Sequence, residues 1–164
     1  MGRRGENTGI YQRRANLRNS RKKLEGLLAA NFQEGAQLVT LTYSTTTKAP
    51  SRKLAALQLV DWLRDVRDQQ GQLRYIRATE QEQTSGGYPV HRIVLTLSAA
   101  SIASIPALWK YGPTDITPIH EMATEDLSRL LMAQALESER VAVPCGRTWI
   151  PSLGLIRPER RTRT

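Results

Sequence analysis

The stretch GGYPVHRIVLTL, residues 86–97, joins a glycine-bearing turn to a run of aliphatic and β-branched residues. Such a run, bounded by turn residues, predicts a strand from Val90 to Leu97. Side chains alternate along a strand, so positions 90 and 92 share one face while His91, Ile93, Leu95 and Leu97 share the other. The second set is apolar apart from its histidine and is expected to pack on helices. The first set carries Arg92, a fixed positive charge on the opposite face.

Working outward, the polar segment QEQTSGG (81–87) reads as a hairpin turn linking this strand to an earlier one, QLRYIRATE (72–80). Before that, residues 51–69 form a helix entered at Pro50, with Leu54, Leu57, Val60, Leu63 and Val66 as its expected buried stripe. QLVTLTY (37–43) alternates and reads as a strand. Ile10 to Asn31 is helical, with Ile10, Leu17, Leu24 and Leu28 on its apolar side and Arg14, Arg18, Arg21 and Lys22 around the rest. Downstream, residues 98–109 form a short helix interrupted near Pro106. PTDITPIH then forms a fourth strand, placed at a sheet edge by Pro118. Residues 121–139 form one helix, and the remainder reads as irregular. The order predicts an α+β fold, an antiparallel sheet covered by helices on one face. The expected organisation is a disordered basic arm (1–9), a single domain (10–158) and a basic tail (159–164).

The chain has 164 residues, 40% hydrophobic and only 5% aromatic, so its core is largely aliphatic. No apolar run is long enough to span a bilayer, and the charged N-terminus lacks the apolar region of a secretory signal. A single cysteine, Cys145, excludes an intrachain disulfide and fits a reducing, cytoplasmic location. The net charge is +9, with Lys and Arg concentrated at the two ends. Clusters of that kind attract polyanions, because each neutralised phosphate releases counterions.

Several blocks in order, LAANFQEGAQLVTLTYS, LVDWLRDVRDQQGQLRYIRATEQ, GGYPVHRIVLTL, LWKYG and GRTWIPSLGLIRP, resemble the Rep-type HUH endonucleases. These are the rolling-circle replication initiators of bacteria, plasmids and phages. The resemblance runs from about Asn16 to Pro158 and implies a ferredoxin-like Rep fold with an added basic N-terminal helix. It also implies an H-x-H pair on a central strand holding a divalent metal, a helping carboxylate, and a nucleophilic tyrosine on a later helix. In such a site the metal polarises the scissile phosphate and the phenolate attacks it. Here the H-x-H positions are Val90 and Arg92, separated by His91; Glu80 keeps the carboxylate position. The tyrosine position is Leu130, with Ala133 near the position of the family's following lysine. No tyrosine follows Tyr111, and the other histidine, His120, lies in the turn before the late helix.

These substitutions lead to the expectation of a catalytically inactive nucleic-acid-binding protein of a phage or mobile element. No catalytic residue, metal ligand or cofactor is assigned to it. The expected partner is single-stranded or hairpin DNA, with no membrane. Contacts are assigned to Arg13, Arg14, Arg18 and Lys22 on the first helix, to Arg92, and to Arg147, Arg157, Arg160 and Arg161 near the end. Trp62, Trp109 and Trp149 are all read as filling core gaps rather than stacking on bases, with Trp149, in a basic irregular segment, the one whose stacking is worth testing. Two alternatives stay open. One is a protein-binding inhibitor or adaptor acting on a host nucleic-acid complex such as a defence nuclease. The other is an active nicking endonuclease in which Tyr111 or another tyrosine acts and Glu80, with His91 or His120, holds a divalent metal.

Overall fold

The computed structural model describes residues 2–33, 35–81, 87–140 and 148–158. The elements in order are α1 (Gly2–Asn31), β1 (Ala36–Leu41), α2 (Arg52–Gln70), β2 (Tyr75–Glu80), β3 (Val90–Thr96), α3 (Ala99–Leu108), β4 (Thr114–Pro118), a 3₁₀ turn (Ile119–Glu121), α4 (Thr124–Leu131), α5 (Ala133–Arg140) and β5 (Trp149–Pro151). The strands form one antiparallel sheet in the order β4-β1-β3-β2-β5, so β3 is central. From β1 to β4 the connections run strand-helix-strand-strand-helix-strand, an arrangement compatible with a ferredoxin-like fold.

Both faces of the sheet are covered, which corrects the expectation of helices on one face. On one side α2 and α3 bury Leu59, Trp62, Leu63, Val66 and Ile105 against Val39, Leu41, Ile93 and Leu95. On the other, α1 and α4 bury Leu24, Leu27, Leu28, Leu127 and Leu131 against Leu38, Ile76 and Val94. Alternation along β1, β2 and β3 supplies apolar side chains to both layers, and such a sheet needs helices on each face to remove them from water.

Further expectations are corrected. The first helix starts at Gly2, so residues 2–9 of the stretch read as a disordered arm are helical. It contains no proline, and once a helix is nucleated each added residue gains a backbone hydrogen bond. In α2 the buried set is Ala55, Leu59, Trp62, Leu63 and Val66, while Leu54, Leu57 and Val60 are exposed. A strict spacing of three drifts by about 60° per step around a 3.6-residue helix, so the expected stripe left the buried face at its N-terminal half. The late helix is two helices joined at Met132, whose φ of −102° and ψ of 10° leave the α region. That turn re-aims the chain so that Ala135 and Ser138 remain buried. Finally, the C-terminal region is not wholly irregular. Trp149–Pro151 pairs with Ile76–Ala78 and closes the outer edge of β2, a position that tolerates proline.

Pro106 does not interrupt α3, which continues to Leu108 and is closed by Trp109 N–H donating to the Ile105 carbonyl, 3.2 Å away. The edge position expected for the fourth strand is observed. α2 begins at a Ser51 cap whose side chain accepts from the Leu54 amide, and it ends at Gly71, whose φ of 93° favours glycine.

Between α3 and β4 the chain presses against the end of β1. Thr42 N–H donates to the Pro113 carbonyl (3.1 Å), Ser44 N–H to the Tyr111 carbonyl (2.8 Å), and Trp109 Nε1 to the Thr42 carbonyl (2.7 Å). A Cβ on Gly112 would lie 2.4 Å from the Thr42 oxygen, and the neighbouring atoms are backbone that cannot rotate away. Gly112→Ala is therefore expected to lower stability by about 1–3 kcal/mol, read as a lower urea midpoint at unchanged slope.

Candidate functional site

The pleat of β3 sends neighbouring side chains to opposite layers. His91 is fully buried between the sheet and α2, beside Tyr43 and Trp109. Its Nδ1 lies 2.7 Å from Thr79 Oγ1 and its Nε2 lies 2.9 Å from the Tyr43 hydroxyl. Tyr43 donates its own proton to Gln58 Oε1 at 2.7 Å, so the Nε2 side of the ring must donate to it. Nδ1 then accepts from Thr79, and the neutral ring is satisfied at both nitrogens. Burial, and secondarily the Arg77 charge, lower the imidazole to about 4. Burial, with Tyr111 nearby, raises the Tyr43 phenol well above its ordinary value. Both groups stay uncharged near neutrality, in a packing role rather than as a base or an open ligand.

Arg92 enters the opposite layer. Its guanidinium donates to Glu80 Oε2 at 2.8 Å and to the Leu130 carbonyl at 3.3 Å. The β2-β3 register sets Glu80 across from Val90 and Ala78 across from Arg92, so the ion pair is a diagonal neighbour on one face. The Arg92 side chain is only 16% exposed. It is therefore not an open phosphate contact, because its charge is already matched and held under α4. The three positions that the Rep resemblance assigns to a metal ligand, a carboxylate and a nucleophile meet at one point. There, an arginine bridges a carboxylate and a backbone carbonyl. No cluster of three or more potential metal ligands occurs among the described residues.

The same face carries a basic cleft of about 340 Å³ between α1 and α4. Arg14, Leu17, Arg18 and Arg21 line it from α1; Ser128, Arg129, Met132 and Leu136 line it from the α4 side. Spacing of 14, 18 and 21 puts the α1 arginines on one stripe. Arg21 Nε bonds Glu25 Oε1 at 3.0 Å, and buried Ser128 Oγ donates to the same oxygen at 3.1 Å, locking the two helices together. Arg18 and Arg129 have no acidic partner within 4.0 Å among the described residues.

Of the expected contacts, Arg14 and Arg18 line the cleft, whereas Arg13 and Lys22 are exposed on α1 outside it. Arg157 is exposed on a C-terminal segment strapped to α1. There Ile156 N–H donates to Asn31 Oδ1 (2.6 Å), and Asn31 Nδ2 donates back to the Ile156 carbonyl (2.8 Å). Arg147, Arg160, Arg161 and Cys145 lie outside the described residues. Trp149 is a core residue buried under α1, and its Nε1–H donates to Ser20 Oγ at 2.9 Å. Arg129 was missed because only the packing of α4 on α1 brings it to the cleft; Arg21 was visible in the spacing but was not selected.

No known protein family, curated protein or solved structure matches the chain. Among the described residues no helix is long and apolar enough to cross a membrane.

The buried imidazole makes stability depend on pH. The unfolded chain takes up a proton at this residue below about 6.5, the native chain only below about 4. The unfolded state therefore binds more protons between these values, and stability falls as pH drops through that window, by about 3 kcal/mol from this residue. Below it the contribution levels off. Urea unfolding across this range should show the loss, and His91→Gln, which keeps a donor and an acceptor, should reduce the slope.

Proposed function

We propose that the chain is a catalytically inactive, Rep-derived nucleic-acid-binding protein of a phage or mobile element. It holds single-stranded or hairpin DNA on its basic surface. The observation that carries the reading is the cleft in which Arg14, Arg18 and Arg21 of α1 face Arg129 of α4. Guanidinium groups converging from two helices offer a phosphate several donors. Exposed Arg13, Lys22 and Arg157 extend the positive surface beyond it. These groups contact phosphate rather than base edges, so they give affinity with little sequence readout.

The inactive character is supported by the Arg92 bridge. A permanent cation bonded to Glu80 opposes a divalent ion at that point, and Leu130 supplies a carbonyl but no phenol there. A retarded single-stranded or hairpin DNA in low-salt gel assays is expected, with affinity falling steeply as salt rises. Arg18→Ala combined with Arg129→Ala should weaken binding about tenfold and flatten the salt dependence by about one and a half units of slope. The Val90→His, Arg92→His double variant should show no manganese-dependent nicking. A flat salt response would overturn the proposal.

A second reading, a protein-binding inhibitor or adaptor on a host nucleic-acid complex, is favoured by one observation: Leu54, Leu57 and Val60 stand exposed along α2. Co-purification of a host protein that survives nuclease treatment, and is lost in Leu57→Glu, is its expected signature.

A further inference from the structure

On the α2 side of the sheet, away from the arginine cleft, a pocket of about 570 Å³ opens between the loop after β1, the start of α2 and the turn before β4. We propose that this pocket is a nucleotide site. It holds one unpaired base against the Tyr111 ring, with its phosphate between Lys48 and Lys110.

Tyr111 is 40% exposed although its ring is fixed. It meets Trp109 edge-on at 4.9 Å and lies 6.2 Å from Tyr43, while its carbonyl accepts from Ser44 N–H. An exposed aromatic face that is already immobilised loses little entropy when a base stacks on it. Leu54, exposed on the first turn of α2, supplies an apolar wall to the same pocket. Gln58 spends its carbonyl oxygen on the Tyr43 hydroxyl, leaving its amide N–H group to donate to an acceptor on a base edge.

Charge points to an anionic ligand. Lys48 and Lys110 line the pocket, and no Asp or Glu does among its described lining residues. Neither lysine has an acidic partner within 4.0 Å among the described residues. The loop that carries Lys48 is held by the Tyr88 hydroxyl, which donates to the Thr45 and Thr47 carbonyls. A free inorganic anion would use the lysines and leave the aromatic and aliphatic walls uncovered; a base bearing a phosphate uses all three. The volume falls within the range of small-ligand sites. The proposal goes beyond the cleft reading, since a mononucleotide bound here does not reach the arginines of α1 and α4.

The full chain would be titrated with 2-aminopurine deoxyribonucleoside 5′-monophosphate, with the same nucleoside lacking phosphate, and with a short thymidine strand carrying one 2-aminopurine. Saturable fluorescence quenching by the monophosphate is expected, with the nucleoside weaker. Tyr111→Leu and Lys110→Glu should each weaken binding about tenfold. Tyr111→Phe, which keeps the ring, should bind as the native chain does and serves as the control for folding. Arg18→Ala should leave mononucleotide binding unchanged. Tighter binding of the strand identifies a nucleic acid as the source of the nucleotide, and tighter binding of the monophosphate a free nucleotide. Quenching that survives Tyr111→Leu and Lys110→Glu, or is abolished by Arg18→Ala, would overturn the site. Strand retardation without any 2-aminopurine quenching would also overturn it, while leaving the arginine cleft standing.

Discussion

The pleat of β3 imposes a constraint that both layers must meet. Two adjacent residues with hydrogen-bonding side chains, His91 and Arg92, enter opposite sides of a sheet that is covered on each face. An unpaired polar group in either layer would cost about 1–3 kcal/mol, and an unpaired charge more. The solutions differ because the side chains differ. The imidazole is kept neutral between Thr79 and Tyr43, so it needs only one donor and one acceptor. The guanidinium cannot become neutral, so it takes a carboxylate from the neighbouring strand and a carbonyl from the helix above. Each solution recruits partners distant in sequence, and the positions of β2, α2 and α4 over β3 are correspondingly fixed.

The same constraint explains where charge is left over. Arg92 consumes Glu80, and Arg21 shares Glu25 with Ser128 at the α1-α4 contact. Once those acids are used inside the layer, Arg18 and Arg129 are left without an acidic partner within 4.0 Å among the described residues. Packing of Leu24 and Leu28 against Leu127 and Leu131 brings the helices close enough for their basic margins to face each other. The cleft is thus a by-product of hydrophobic association that concentrates positive charge. The proposed polyanion would relieve mutual repulsion among those guanidiniums.

How much of this was legible depends on which physical signal each residue carries. Alternation in Val90–Leu97 fixed the strand and the face of His91 correctly, because the period of two leaves only one choice. The antiparallel α+β arrangement followed from the element order and the short hairpin between the second and third strands. In α2 the aliphatic residues at 54, 57, 60, 63 and 66 offered a stripe, but Trp62 and Leu59 compete for burial at true helical spacing. The choice between them is settled by the sheet beneath, not by the helix. β5 escaped notice because three residues in a basic context show no period, and its pairing depends on the open edge of β2. The burial of Trp149 was expected from its size and apolar surface, but the strand that turns it under α1 was not. Arg92 and Glu80 both fall at positions that the Rep resemblance assigns to the metal site. Their pairing was missed because it needs the registered distance between two strands, which sequence spacing alone does not give.

The two proposed ligand sites have opposite physical designs, and that difference is itself informative. The α1-α4 cleft offers long, flexible guanidinium side chains on exposed helix faces, suited to a backbone whose phosphates vary in position. The pocket at Tyr111 offers a ring fixed by Trp109 and a turn that lacks room for even a methyl group at Gly112. Rigidity of that kind suits one flat ligand in one orientation. The close approach of residues 111–113 to the end of β1 therefore serves more than the fold. The backbone bonds that exclude a side chain at Gly112 also hold the Tyr111 ring with part of its surface open to solvent. A looser turn would let that ring collapse onto Leu54, burying apolar surface at the expense of the pocket. Tightness of the turn is what keeps the aromatic face available.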